Sequence, residues 1–137
     1  MNALEQLIRV HSWSLDEKRR QAVELDRLAD KLRGDLSRVD AEMEAEKKSV
    51  GLSLELAPAF AAYLKVAQGR RARLLRSIAD VEAEILRVQA EVADAYQQLK
   101  KYEQALANRN QRERLKVTRR EQIANDELGL AMYQRRR

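Results

Sequence analysis

The chain has 137 residues, of which 36% are charged, and it holds only 1 Phe, 1 Trp and 4 Tyr. With 4 Gly and 1 Pro it lacks the turn residues that a sheet-containing fold needs, so we expect an all-α protein. The absence of Cys excludes disulfides, thiol nucleophiles and thiolate metal sites, and the formal net charge is +5. Because no long uncharged apolar run is present, we expect no export signal, no membrane insertion and a cytoplasmic location.

The first predicted element is a helix over about residues 3–50. Apolar side chains recur alternately every four and three residues from Leu4 to Val50, which is the heptad pattern of a coiled coil. We call these positions the first seam. The polar exceptions on it are His11, Lys18 and Glu46.

A turn is predicted over about residues 51–57, where the chain has its single proline and one of its glycines. Gly51 is expected to take the left-handed conformation that ends many helices. Pro58 has the fixed φ and the missing N–H that suit the first turn of the following helix. The sequence therefore predicts a break between two long helices.

The second predicted helix runs from about residue 58 to residue 134, and its seam extends from Phe60 to Leu106 with Arg71 as the polar exception. Because the two seams have equal length, folding at the turn would pair Val50 with Phe60 and Leu4 with Leu106 over about 70 Å. We therefore expect a single domain, an antiparallel two-helix coiled-coil hairpin that is monomeric. A parallel dimer or a larger bundle is the alternative that two seams also allow.

The second helix should continue beyond its partner as a basic overhang over residues 107–137. Residues 1–108 carry equal numbers of basic and acidic side chains, so the whole positive excess lies in residues 109–137. A weaker apolar stripe reappears there at Val117, Ala124, Leu128 and Ala131. These features predict a helix that docks on an anionic or apolar surface of a partner. The alternative is a solvated tail.

Catalysis is not expected, because a two-helix coiled coil encloses no pocket that excludes water. His11 is the single histidine and lies on the first seam, where packing explains it better than catalysis does. One His without Cys does not make a zinc site, and no glycine-rich phosphate loop is present. We therefore expect no enzymatic activity, no metal and no cofactor.

Apolar side chains cluster at the turn, where Leu52, Leu54 and Leu56 alternate and Phe60 and Tyr63 follow. A thin coiled coil cannot bury all of them, and exposed groups of this kind usually mark a contact with another protein. The alternative is that some of them only seal the end of the seam.

Nucleic-acid binding is the other interpretation of the basic segment at residues 108–120. A bZIP protein has its basic helix before the zipper of a parallel dimer, whereas this basic segment follows the second seam. The segment also lacks aromatic residues for stacking on single strands. We therefore expect no direct nucleic-acid partner.

Several segments of the chain, in their order and spacing, resemble the sequence pattern of the FliJ family of flagellar type III export stalk proteins. This family is related to the YscO-type stalk proteins of injectisomes. The segments that carry this resemblance are Leu7–His11, Leu15–Arg20, Tyr63, Arg70-Arg71, Leu74, Ala95–Glu103, Arg119–Gln122 and Asp126–Leu128. Together they span nearly the whole chain.

The resemblance implies a non-enzymatic stalk between a hexameric export ATPase and the cytoplasmic domain of the export gate, peripheral to the inner membrane, with export chaperones as candidate partners. The ATPase-facing residues that it implies are Arg9, Arg109, Arg112, Lys116, Arg119 and Arg120. The gate-facing residues are Met43, Phe60, Tyr63 and Ala67, to which the exposure expected at the turn adds Leu52 and Leu54. The competing classes are a scaffolding coiled coil without ATPase coupling and a basic nucleic-acid-binding dimer.

Overall fold

The computed structural model describes residues 2–136, and these residues form two long helices that pack against each other. Helix α1 spans Ala3–Val50 and helix α2 spans Ala57–Arg135, with a short 3₁₀ helix at Leu54–Leu56 between them. No strand occurs in the described part of the chain. The all-α helical hairpin with a longer second helix is thus confirmed.

Burial follows the two predicted seams. Every seam position of α2 is buried or half-buried, and the same holds for α1 except at Glu46, which is exposed. All fully buried residues described are seam residues, namely Leu15, Ala29, Val39, Ala67, Ile78, Val88 and Leu99. The apolar heptad pattern therefore decides which face of each helix is turned toward the other.

The chain divides into two compact units, and each contains a part of both helices. The hairpin unit comprises Leu15–Asp94 and therefore includes the turn. Its cross-helix ion pairs are Lys18–Glu91 at 3.2 Å, Arg33–Glu82 at 3.1 Å and Arg71–Asp40 at 2.7 Å. Because the partner number falls as the α1 number rises, the helices of this unit are antiparallel.

The terminal unit comprises residues 2–14 and 95–136 of the described chain. In it the His11 ring stacks on the Tyr102 ring with a centroid separation of 4.8 Å. A capping box closes the start of α1: the Asn2 side-chain oxygen accepts a hydrogen bond from the Glu5 N–H at 2.8 Å, and the Glu5 carboxylate accepts one from the Asn2 N–H at 3.3 Å. Such a box satisfies two backbone donors that the helix leaves unpaired.

The end of α1 corrects one prediction. No glycine in the described chain has a positive φ, so the left-handed conformation expected at Gly51 was wrong. The last turn of α1 instead tightens, since the Leu52 N–H donates to the Ser49 carbonyl at 3.2 Å and the Ser53 N–H to the Val50 carbonyl at 3.1 Å. These three-residue bonds satisfy helix carbonyls without requiring a left-handed residue.

Neither helix contains, within residues 2–136, an apolar stretch of the length that a bilayer crossing requires.

Candidate interaction surfaces

A groove of about 470 Å³ opens between α1 and α2 in the hairpin unit, close to the turn. Met43, Phe60 and Leu64 form its apolar floor. Its charged rim consists of Asp40, Glu44, Lys47 and Arg71. We call this the seam groove, and it unites Met43 and Phe60, two of the predicted gate-facing residues.

The charges on the rim are only partly matched. Arg71 donates from its Nε to an Asp40 carboxylate oxygen at 2.7 Å. Glu44 and Lys47 form no ion pair with any side chain that the structure describes. A partner in this groove therefore meets apolar atoms beside one unmatched acidic and one unmatched basic group.

Two further predicted gate-facing residues lie next to the groove floor on α2. The Tyr63 ring is half-buried, and its centroid lies 6.5 Å from that of Phe60. Ala67 is only 7% exposed because it occupies a seam position. Ala67 therefore offers almost no surface to a partner. Packing in the seam is sufficient to explain an alanine at this position.

The remaining two predicted gate-facing residues, Leu52 and Leu54, are the most exposed large apolar residues described, at 90% and 93%. Leu56 is less exposed, at 46%, and Phe60 is half-buried. Sealing of the seam thus accounts for part of the apolar cluster at the turn but not for Leu52 and Leu54. Exposed leucines of this kind are typical of a protein contact.

The basic overhang is exposed at every residue from 107 to 136. In an α-helix, residues three, four, seven, ten and eleven positions apart share a face. The predicted ATPase-facing residues of α2 have these spacings, and so they lie within an arc of about 100°. This cationic face consists of Arg109, Arg112, Lys116, Arg119 and Arg120.

Most of the cationic face has no counter-charge. Lys116 lies 3.8 Å from a Glu113 carboxylate oxygen, with both side chains more than half exposed. Among residues 2–136, none of the four arginines of the face has a carboxylate within ion-pairing distance. The overhang is therefore an uncompensated positive surface, which attracts an anionic partner.

Arg9, the sixth predicted ATPase-facing residue, is exposed on α1. It lies in the terminal unit, two residues before the His11 ring that stacks on Tyr102. It belongs to the same unit as the overhang but to the other helix, so it is not part of the cationic face.

The apolar stripe predicted on the overhang, Val117, Ala124, Leu128 and Ala131, is exposed along its whole length. By helical geometry it occupies a face about a quarter-turn from the cationic face. Further exposed apolar side chains that the sequence analysis did not single out are Leu115, Ile123, Leu130 and Met132. No described part of α1 covers any of them.

Titratable side chains with a shifted pKa occur only in exposed ion pairs of the described chain. A hydrogen bond from Arg87 lowers the pKa of Glu84, and a hydrogen bond to Glu103 raises the pKa of Lys100, which also lies over the Tyr96 ring. Within residues 2–136 no three His, Cys, Asp or Glu side chains are placed to hold a metal ion.

Sequence reasoning missed Leu64 and the charged rim of the seam groove. The available signal was the helical spacing of Asp40, Met43, Glu44 and Lys47, which places these four residues on one side of α1. Comparison of the chain with protein-family models, with curated proteins and with solved structures found no match.

Proposed function

We propose that this chain is a non-enzymatic stalk protein of a type III export apparatus, similar to the FliJ family. It joins a hexameric export ATPase to the cytoplasmic domain of the export gate, in the cytoplasm and peripheral to the inner membrane. The segments that resemble that family support the proposal. An all-α hairpin with a longer second helix is also what the resemblance implies.

The observation that carries the proposal is the cationic face of the overhang. Its arginines have no counter-charge in the described chain and lie on a helix that α1 does not cover. In the proposed function they enter the centre of the ATPase ring and contact acidic side chains there. Charge complementarity of this kind raises the association rate and fixes the orientation of the helix.

The seam groove, with Tyr63, Leu52 and Leu54, is the proposed gate-facing surface. It provides apolar area together with an aromatic side chain, the combination that supplies most of the binding energy in protein interfaces. Because the gate-facing and ATPase-facing residues are different side chains, ring and gate can be bound by one chain at the same time. Export chaperones are further proposed partners.

The ATPase contact is tested by reversing charge on the cationic face. The variant Arg112→Glu/Arg119→Glu/Arg120→Glu should lose stimulation of ATP hydrolysis by a purified export ATPase and bind it at least about tenfold more weakly, since each interfacial charge contributes a few tenths to one kcal/mol. The measurements are hydrolysis rates and binding isotherms at two salt concentrations.

A matched control is Arg27→Glu/Arg73→Glu/Arg76→Glu, which reverses three exposed arginines of the hairpin unit. This control variant should stimulate ATP hydrolysis by the export ATPase as the wild type does. Suppose that both variants lose stimulation of ATP hydrolysis equally while circular dichroism shows that their helicity is retained. That result would show that only the total charge of the chain matters, and it would contradict the proposed ATPase surface.

The gate contact is tested by Tyr63→Ala. Removing this half-buried ring beside Phe60 should weaken binding to the cytoplasmic gate domain about tenfold, as truncation of an aromatic anchor usually does, while ATPase stimulation stays unchanged. Calorimetry with the gate domain and a hydrolysis assay measure the two effects. Unchanged gate affinity would exclude Tyr63 from the contact.

Direct nucleic-acid binding is the second candidate, because an uncompensated cationic helix face also suits a phosphate backbone. It predicts that the chain shifts duplex DNA and that the affinity falls steeply with salt. A scaffolding coiled coil predicts neither a DNA shift nor any change in ATP hydrolysis. The same preparations therefore separate all three functions.

A further inference from the structure

One stretch of the overhang carries no charge. Residues 128–134 contain no Asp, Glu, Lys or Arg, whereas residues 107–127 contain ten of these residues. We call residues 128–134 the uncharged segment, which lies on α2 in the terminal unit. Its side chains Leu128, Leu130 and Met132 are 61%, 59% and 53% exposed. The segment therefore presents apolar surface that α1 does not cover.

The apolar side chains of this region lie on opposite sides of the helix. Each residue turns an α-helix by about 100°, so Met132 lies about 40° from Leu128, whereas Leu130 lies about 160° from it. Ile123, which is 51% exposed, lies within about 20° of Leu130. Leu128 and Met132 thus form one apolar side, and Leu130 and Ile123 form the other. A flat surface or a single groove covers only one of these sides.

The charge and length of the overhang argue against two simple occupants. Two overhangs repel each other, because the whole positive excess of the chain lies in residues 109–137. A bilayer core is about 30 Å thick, whereas seven helical residues extend over only about 10 Å. A partner that covers both apolar sides has to enclose the helix. The central opening of a ring provides such an enclosure for a helix about 10–12 Å across.

We propose that the uncharged segment is enclosed by an apolar collar inside the export ATPase ring. This inference rests on the proposed function and adds a second level of contact to it. The centres of residues 109–120 and 128–134 are about 25 Å apart along the helix axis. The ring therefore presents acidic side chains at one depth and apolar side chains at another. The charges accelerate association, and the apolar collar slows dissociation.

Binding kinetics of the full chain on the purified hexameric export ATPase test the collar. Leu128→Gln and Leu130→Gln each replace an apolar side chain by a polar one of similar helix propensity. Each single variant should dissociate several-fold faster than the wild type, and the double variant at least about tenfold faster, with association rates unchanged within about twofold. This loss should persist at high salt, where the effect of reversing Arg112, Arg119 and Arg120 shrinks, because salt screens charges but not apolar contacts.

The matched control is Val66→Gln/Leu86→Gln, which changes two apolar residues of the hairpin unit that are 70% and 68% exposed. It should bind the ATPase as the wild type does. A loss confined to one of the two single variants indicates a one-sided contact and overturns the collar, as does a control that loses as much affinity as the double variant.

Two further outcomes separate the collar from the proposed function. If Leu128→Gln/Leu130→Gln binds as the wild type does while the charge-reversal variant does not, the collar is wrong and the proposed ATPase surface stands. A wild type that does not bind the ATPase overturns both.

Discussion

Two polar side chains at seam positions of the hairpin unit, Lys18 and Arg71, form ion pairs across the helix pair. Lys18 pairs with Glu91, and both side chains are about one third exposed, at 32% and 33%. Glu91 also pairs with Arg87 of its own helix. Elsewhere Arg71 pairs with Asp40. When a polar seam residue has a partner in a single register of the two helices, it favours that register, at some cost in stability.

Lys18 allows this cost to be measured. Lys18→Leu should raise the free energy of unfolding by about 0.5–1 kcal/mol, because an apolar side chain replaces a half-buried amine while Glu91 keeps its pair with Arg87. Thermal and urea unfolding give the value. The control Lys31→Leu changes an exposed position off the seam and should have little effect. If Lys18→Leu loses stability and Lys31→Leu does not, the Lys18–Glu91 ion pair contributes more free energy than an apolar side chain would at this position.

At the scale of elements, the two ends of α2 have different physical support. From Phe60 to Leu106 the helix is held by its seam against α1. From residue 107 onward it has only its helix propensity and pairs such as Lys116–Glu113. Most helical stability in proteins comes from packing an apolar face against a partner rather than from helix propensity. The overhang is therefore a helix whose stability depends on a partner.

Hydrogen exchange should show this difference directly. Amides of the overhang are expected to exchange at least about tenfold faster than those of residues 64–102, because local opening there breaks no seam contact. Saturation with the export ATPase should protect residues 109–120 if the proposed function holds. Slow exchange over the whole overhang in the isolated chain would contradict the expected dependence on a partner.

For the whole molecule, the central property is that the two helices pair within one chain. The chain has no Cys, so a pair introduced by mutation gives an unambiguous crosslink. Ala22→Cys/Val88→Cys in the hairpin unit and Leu4→Cys/Leu106→Cys in the terminal unit place thiols at seam positions that the predicted register pairs.

Oxidation of either pair should give an intramolecular disulfide at the monomer mass in non-reducing electrophoresis, because facing seam residues approach closely enough for a bond. Ala22→Cys/Ile78→Cys serves as control, since its two seam positions are offset along the pair, and it should crosslink poorly. Dimer-mass products from the facing pairs, formed at low concentration, would indicate a parallel dimer instead.

The heptad pattern predicted the paired helices and the buried face of each, because a repeat of 3.5 residues allows only one stripe to face a partner. Gly51 and Pro58 predicted where the two helices are separated. The charge excess likewise located the overhang. Tertiary structure alone decided that Glu46 is exposed although it occupies a seam position, and that Gly51 ends α1 without a left-handed turn. Those outcomes depend on which atoms of the second helix fill the space beside each residue, and a one-dimensional pattern does not contain that information.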